Sequence, residues 1–475
     1  MDCFRRRADF PRCVELTEIL NVFGKNLSTV CINTLFPHRH TCYCPFFAHQ
    51  YLLTILQVEG QQWKTQRKVI ATCFNEQNNE IVWSESLSLA RDMLAYWARQ
   101  PSVTTSADDL RTLSLHVLSG AGFGKSFKFE GHTERSDSST SANYKNSLQT
   151  ILENCILIMA LGPAFLAKAR PWLPGSWKLS KLADTCAAFQ RYMTDQYEEE
   201  KRATLSQDKK TGTGTVKTLM SSLVSASQAE ARTANGTGLS ESEIYGNMFM
   251  LNFAGHDTTA HTFTFAMYFI AANPEVQDWM SEEIRAVLGD DPAEWNYAAG
   301  FPRLKRCLAV MLETLRLYTI VPVSKWVGDQ TVSLQVDGKT IVLPPKTMFI
   351  PSYAAVQTDP KYWGPDALDW RPSRWIQDGG KPGHEELVVI EKGTFLGWSE
   401  GARDCPGKKF SQIEFVATMA ALFRDWQVDP VRLHKEESKG EAQKRVLDLI
   451  EQDSAPVLLL QMLHPERAPL VWKKR

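Results

Sequence analysis

The segment GTFLGWSEGARDCPGKKFSQIEF, residues 393–415, places a cysteine immediately before a predicted helix. Pro406 follows Cys405 and is favoured at the first helical position, so we expect a helix over 406–426. Backbone N–H groups and the helix dipole stabilise a thiolate there, and a thiolate is the form that binds soft metals. Gly401 lets the loop approach a flat ligand, and Arg403 adds a permanent cation. From these residues alone, a buried structural cysteine remains the alternative.

Composition excludes several classes of protein. The chain has 475 residues, 43% of them hydrophobic, and a net charge of -1, which favours a globular protein without a nucleic-acid partner. Its ten cysteines lack a repeated spacing, so a reducing compartment is expected rather than a disulfide framework. The longest apolar run, 155–167, contains Pro163 and is too short to span a bilayer. No membrane-spanning segment is predicted.

Apolar periodicity predicts a mostly α fold with a small β-sheet region, in a single domain over 1–475. The VSLQV and TIVLP runs flank Asp337-Gly338, which predicts a β-hairpin. Two stretches rich in Ser, Thr and Gly, 131–142 and 206–238, are expected to be surface loops. Helices are predicted over 86–97, 108–119, 179–201, 241–272, 302–318 and 406–426.

The predicted helix 241–272 carries polar residues at its centre, in FAGHDTT, 253–259. Ser240 and Glu243 form a capping box at its start, and Asn273-Pro274 ends it. Glycine and threonine lower helix propensity, and threonine hydroxyls can bond back to carbonyls. A tolerated polar patch in a core helix is the alternative to a functional motif.

Two shorter patterns pair side chains along one helix face. Trp63 and Arg67 are four residues apart, and an indole N–H with a guanidinium suits carboxylate groups of a ligand. Glu313 and Arg316 are three residues apart and can form an ion pair, which on a surface contributes little. Neither pattern is specific by itself.

Taken in order, these motifs resemble the cytochrome P450 family of haem-thiolate monooxygenases. The haem-binding loop of the family is Phe-x-x-Gly-x-Arg-x-Cys-x-Gly, and residues 398–407 match it except that Trp398 replaces Phe. The family's Trp-x-x-x-Arg, Ala-Gly-x-Asp-Thr-Thr and Glu-x-x-Arg motifs match 63–67, 254–259 and 313–316. Its Pro-x-Arg-Phe segment matches 372–375, with Trp in place of Phe.

The resemblance implies a haem b cofactor with Cys405 as the axial ligand of iron and Gly401 in the loop beside it. It assigns Trp63, Arg67 and Arg403 to the haem propionates. Many relatives have His where this chain has Gln66, so Gln66 is not assigned.

The resemblance also implies roles away from the cysteine loop. Asp257 and Thr258 deliver protons during oxygen activation, while His256 is expected to be an exposed or pocket-facing spectator. A buried triad for Glu313, Arg316 and Arg374 has a structural role only.

The implied reaction inserts one oxygen atom of O2 into a lipophilic organic substrate. The sequence is most similar to fungal members of the family that act in secondary metabolism. Electrons come from NADPH through a separate NADPH–cytochrome P450 reductase. By resemblance the location is the cytosolic face of the endoplasmic reticulum membrane. The resemblance covers about 5–429, and the usual N-terminal anchor, first helix and first strands are not found, so cytoplasmic location and peripheral membrane contact both remain open. The alternative function is a haem-binding or inert truncated relative without monooxygenase activity.

A cluster of histidines and cysteines lies within 30–57. A zinc site is one interpretation, but the gaps in Cys42-x-Cys44 and His38-x-His40 are shorter than zinc sites use. Joining residue 29 to residue 58 restores the family's spacing, and the codons at both ends allow intron borders. We therefore predict that 30–57 is a retained-intron-like insert and that His38, His40, Cys42, Cys44 and His49 have no evolved function.

Overall fold

In a computed structural model, the protein is described over residues 60–475 apart from most of 133–175, the segments 208–217, 233–237, 322–324 and 457–458, and positions 328, 337 and 378. The helices of eight residues or more are α1 Gly60–Ala71, α2 Glu76–Trp97, α3 Ser106–Phe123, α4 Ser176–Gln207, α5 Leu219–Ala231, α6 Glu241–Ala272, α7 Pro274–Val287, α8 Lys305–Leu317, α9 Lys408–Phe423 and α10 Lys439–Gln452. Short α-helices occupy Tyr297–Gly300, Tyr353–Gln357 and Pro360–Trp363, and 3-10 turns occupy Pro292–Glu294, Phe301–Arg303, Pro372–Trp375 and Pro465–Arg467. Over the described residues, every helix is too short or too polar to cross a membrane.

The mostly α prediction is confirmed, and α6 has the predicted boundaries. At its start the Glu243 side chain accepts a hydrogen bond from Ser240 N at 2.9 Å, and Ser240 Oγ accepts one from Glu243 N at 3.3 Å. The next helix begins at Pro274. The capping box and the Asn-Pro stop therefore set both ends of α6 as expected.

Several predicted boundaries are wrong; α2, for example, begins at Glu76 rather than at residue 86. Helix α5 lies inside the stretch expected to be a loop, because Leu219, Met220 and Leu223 are buried and Thr218 Oγ1 caps the helix by accepting from Ser221 N at 3.1 Å. Helix α9 begins at Lys408 rather than at Pro406. Residues 406–407 form a turn instead, so Cys405 lies three residues before the helix rather than immediately before it.

The strands form small antiparallel pairs. The predicted hairpin is confirmed: β2 Val332–Val336 pairs with β3 Lys339–Leu343, with Val336 opposite Lys339. The other pairs are β1 Lys325–Trp326 with β4 Met348–Phe349, β5 Trp426–Pro430 with β8 Leu470–Lys474, and β6 Ser454–Pro456 with β7 Leu460–Met462.

The chain divides into two compact units, and α6 contributes to both. The first contains the described residues of 60–75, 135–253 and 323–351, and the second contains those of 76–134, 254–322 and 352–475. In the second unit, Phe263 of α6 stacks on Phe415 of α9 with ring centroids 5.0 Å apart, and Trp97 Nε1 donates to Asp109 at 2.8 Å. The predictions of one domain over 1–475 and of an insert at 30–57 stay predictions, because residues 1–59 lie outside the described part of the chain.

Candidate functional site

The loop that carries Cys405 is held by its own backbone. Cys405 N donates to Trp398 O at 2.9 Å, and Asp404 N donates to Gly401 O at 3.2 Å. Gly401 has a φ of +91°, a conformation that a side chain rarely adopts, so a glycine is required there. The Cys405 side chain is exposed, three residues before α9. The loop thus presents a sulfur to its surroundings ahead of a helix N-terminus.

The other three cysteines of the described residues are buried. Burial raises the pKa of the Cys73 thiol to about 12 and that of Cys186 to about 11, and it raises the pKa of Cys307 well above 9.0. Such thiols stay protonated at neutral pH and do not act as ligands or nucleophiles. Among these four side chains, Cys405 alone is positioned to bind a ligand.

Trp63 and Arg67 lie one turn apart on α1 in the first unit, and both side chains are partly exposed. Between them, Gln66 is buried: its Nε2 donates to Glu243 at 2.9 Å, and its Oε1 accepts from Asn247 at 3.1 Å. Gln66 thus fastens α1 to α6. Arg403 belongs to the second unit and is also partly exposed.

Asp257 lies in a cluster of basic side chains. Its Oδ1 is 3.0 Å from Nε of Arg111 on α3 and 3.3 Å from Nε2 of His256. Burial raises the pKa of Asp257, but the nearby His256, Arg111 and His261 outweigh it and hold the pKa below the usual value. Burial lowers the pKa of His261 to about 4, so that ring is neutral at pH 7. The prediction that His256 is exposed or pocket-facing is wrong, because its side chain is 2% exposed.

Threonine hydroxyls near the centre of α6 bond back to carbonyls one turn earlier. Thr258 Oγ1 donates to Ala254 O at 2.6 Å, and Thr259 Oγ1 donates to Gly255 O at 2.9 Å. Ala254 is exposed and Thr258 is partly exposed, whereas Thr259 is buried. One face of the helix therefore exposes Ala254 and part of Thr258, and the Ala254 carbonyl on that face already accepts the Thr258 hydroxyl.

Glu313 accepts hydrogen bonds from two arginines in a buried cluster. Arg316 donates bidentately, with Nε and Nη2 each 2.8 Å from a Glu313 oxygen, and Arg374 Nε is 2.8 Å from Oε1. Arg316 and Glu313 have no exposed side-chain surface. Arg316 Nη1 also donates to Gln357 O at 2.7 Å and Ala367 O at 2.6 Å, which ties the segment after β4 to α8.

Several contacts of these residues were not predicted from the sequence. Trp375 Nε1 donates to Glu313 Oε2 at 2.8 Å, and Arg371 N donates to Oε1 at 2.8 Å. Trp375 replaces the Phe of the family motif, and a buried indole N–H needs a hydrogen-bond acceptor. A polar partner for Trp375 could therefore have been predicted from the sequence. No sequence pattern indicated the role of Arg111, because its partner Asp257 lies far away in the sequence.

Metal binding elsewhere finds no support in the described residues. They contain no group of three or more His, Cys, Asp and Glu side chains placed to hold an ion. The cluster with His38, Cys42 and Cys44 lies outside the described residues, so the prediction for it stays a prediction.

Comparisons with known proteins identify the family of the chain. The family model for Cytochrome P450 matches residues 45–453. The chain is 28% identical over 481 residues to Cytochrome P450 monooxygenase 124 of Postia placenta, with 99% of this chain and 80% of the relative covered. It is 30% identical over 417 residues to the Phomenoic acid biosynthesis cluster cytochrome P450 monooxygenase of Leptosphaeria maculans, with 80% and 69% covered. The chain belongs to the cytochrome P450 family and is a haem-iron monooxygenase, an oxidoreductase.

Proposed function

We propose that this protein inserts one oxygen atom of O2 into a lipophilic organic substrate in fungal secondary metabolism, with Cys405 as the axial ligand of haem b. The observation that carries the assignment is the exposure of Cys405, in contrast to the buried Cys73, Cys186 and Cys307. Gly401, with its positive φ, leaves the loop without a Cβ where a flat ring would approach. These features fit a haem-thiolate site.

When bound, haem iron supplies the oxygen-activating chemistry, and an axial thiolate favours O–O cleavage. Trp63, Arg67 and Arg403 would hold the propionates through their N–H groups and positive charges. Thr258 would hold a proton-donating water with the hydroxyl that now bonds to Ala254 O, and Asp257 would relay protons toward it. The Glu313, Arg316 and Arg374 cluster would fix the surrounding segments without touching substrate.

Family membership supports a proposal for the electron source and for the location. NADPH–cytochrome P450 reductase would supply electrons, since the family implies a redox partner. We place the enzyme at the cytosolic face of the endoplasmic reticulum, with the cytoplasm as the alternative. The cluster relative of Leptosphaeria maculans, named for phomenoic acid biosynthesis, supports a role in secondary metabolism.

The carbon monoxide difference spectrum of the reduced, purified chain tests the proposal. A thiolate-type Soret band is expected for the wild type and for Cys307→Ala and Cys186→Ala, which alter buried thiols. Cys405→Ala should lose that band. An imidazole-type band or absence of haem in the wild type would favour a haem-binding or inert relative, and a retained thiolate band in Cys405→Ala would overturn the ligand assignment.

A further inference from the structure

The carboxylate of Glu243 serves two helices, with one oxygen for each. Its Oε2 accepts hydrogen bonds from N and Oγ of Ser240, both at 2.9 Å, and these bonds cap α6. Its Oε1 accepts from Gln62 Nε2 at 2.8 Å and from Gln66 Nε2 at 2.9 Å. The two glutamines are four residues apart and lie on one face of α1. One side chain therefore caps α6 and binds α1, and all of these residues belong to the first unit.

Gln66 uses both ends of its amide in this contact. Its Nε2 donates to Glu243, while its Oε1 accepts from Asn247 Nδ2 at 3.1 Å. The same Nδ2 of Asn247 donates to Glu243 O at 2.7 Å. Gln66 and Asn247 are both buried, so a lost bond would leave a polar group away from water. Gln62, by contrast, is exposed. Gln66 thus forms a buried polar connection between α1 and α6.

Neutral donors hold the Glu243 carboxylate in its ionised form. Burial raises the pKa of Glu243, but the hydrogen bonds from the two glutamines and from Ser240 outweigh it and hold the pKa below the usual value. An ionised carboxylate accepts on both oxygens and has no N–H or O–H that would face these donors. The acceptor that orients Gln66 is therefore present throughout the neutral pH range.

Other contacts of α1 are less directional. Val69 and Ile70 are buried, but the hydrophobic effect has no preferred direction. Lys68 pairs with Glu230 of α5, yet the Lys68 side chain is 65% exposed, and such pairs contribute little. Hydrogen bonds require aligned donors and acceptors, so the buried bonds of Gln66 resist rotation of α1 about its axis.

We infer that Gln66 is a positioning residue for haem binding, because its bonds to α6 fix the orientation of α1. Trp63 lies three residues before Gln66 and Arg67 one residue after it, and both side chains are partly exposed. A rotation of α1 would change the direction of both side chains at once. This inference rests on the proposed function, in which Trp63 and Arg67 hold the propionates.

The test measures the rate at which the purified holoprotein loses haem to an excess of apomyoglobin. Gln66→Leu should raise this rate roughly tenfold, since two buried hydrogen bonds are lost. The thiolate-type carbon monoxide band should be kept, because Cys405 is unchanged. Gln66→Asn retains the amide on a shorter side chain, so it should raise the rate less, and it is the test variant if Gln66→Leu does not fold.

Gln277→Leu is the matched control for general destabilisation. Gln277 is also a buried glutamine that joins two elements: its Nε2 donates to Val428 O at 2.8 Å, and its Oε1 accepts from Val428 N at 2.9 Å. It belongs to the second unit. Gln277→Leu should lower the free energy of unfolding without faster haem loss. Equal acceleration of haem loss by Gln277→Leu and Gln66→Leu would overturn the inference.

A triple variant connects the effect to the two residues proposed to hold the propionates. With Trp63→Phe and Arg67→Met in the background, Gln66→Leu should cause no further acceleration of haem loss. An equal acceleration in both backgrounds, or a wild-type rate in the Gln66 variants, would overturn the inference. Failure of the wild type to show a thiolate-type band would instead overturn the proposed function, so the two failures are distinguishable.

Discussion

Nε of Arg111 lies 3.0 Å from Oδ1 of Asp257, and this ion pair joins α3 to α6 within the second unit. The Asp257 side chain is 17% exposed, and that of Arg111 is 32% exposed. The carboxylate proposed to relay protons is therefore held in its ionised form by a cation from a neighbouring helix. His256 adds to the positive surroundings, whereas His261 contributes only as pH falls to its pKa of about 4.

Arg111→Met should lower the free energy of unfolding by about 1–2 kcal/mol at pH 7, because the largely buried Asp257 carboxylate loses a neighbouring positive charge. The pKa of folded Asp257 is depressed, so its stabilising contribution exists above the unfolded pKa and disappears as pH falls through the folded one. The loss caused by Arg111→Met should shrink at that acidic end. Urea unfolding in a cycle with Asp257→Asn measures the coupling, with the more exposed Arg285→Met as control. Additive effects in the cycle would contradict the coupling.

Thr258→Ala should increase peroxide release and decrease product formed per NADPH, with haem still bound, because the hydroxyl that positions the proton-donating water is removed. Thr264→Ala is the matched control. Thr264 is buried on the same helix, and its hydroxyl makes the same kind of bond, to Ala260 O at 2.9 Å. Coupling that is equal in the wild type and Thr258→Ala would remove Thr258 from the relay.

Arg316→Leu should destabilise the protein by about 3–5 kcal/mol, because it removes a buried cation and leaves several buried acceptors, Glu313 among them, without their bonds. Arg316→Lys should recover only part of this loss, since an ammonium cannot reproduce the bidentate geometry. Arg371→Leu is the control: its side chain is 55% exposed and pairs with Asp366 at 2.8 Å, so the cost should stay below about 1 kcal/mol. Chemical unfolding of the three variants decides the matter, and similar losses for Arg316→Leu and Arg371→Leu would refute the expectation.

Glu414→Gln should stabilise the protein at pH 8 and have little effect at pH 5. Burial raises the pKa of Glu414 from 4.5 to about 8, so the folded state holds a proton that the unfolded state releases. The stability of the wild type should therefore fall as pH rises through this window, whereas a glutamine does not titrate. The gain at pH 8 is on the order of 4 kcal/mol, at 1.36 kcal/mol per unit of pKa shift. Denaturant unfolding at both pH values tests this, with the exposed Glu436→Gln as control; a gain that does not grow with pH would argue against a protonated Glu414.

Mature transcripts should lack the codons for 30–57, and the shortened chain should still bind haem. Sequencing of the message measures the first outcome, and the carbon monoxide spectrum of the shortened protein measures the second. Retention of those codons in all mature message, together with zinc that copurifies and is lost in the Cys42→Ser, Cys44→Ser double variant, would establish a metal site instead.

Local sequence chemistry was sufficient to predict some elements. Helix α6 could be delimited because its cap lies in Ser240 and Glu243 and its stop in Pro274, all within a few residues of the ends they define. The β2–β3 hairpin was predictable for the same reason, since its strands flank a two-residue turn. Where the residues that fix an element lie within or beside it, their spacing and type are enough to predict the element.

Elements fixed by distant contacts were not predictable. The apolar face of α5 is short and is surrounded by Ser and Thr, so burial of Leu219 and Leu223 by the rest of the first unit outweighs a composition typical of loops. Burial of His256 and the contact between Arg111 and Asp257 likewise depend on how α3 and α6 pack. Nothing in the residues beside Arg111 indicates its partner.

The hydrogen bonds from Arg316 to carbonyls between residues 357 and 369 have a consequence for proteolysis. That segment has little regular secondary structure, and such segments usually open locally and are cut first. Here, opening would break hydrogen bonds between buried carbonyls and the buried guanidinium of Arg316 in α8, which costs free energy. We therefore expect trypsin to cut after Lys361 only when these bonds to α8 open, so that the segment unfolds together with the core helix.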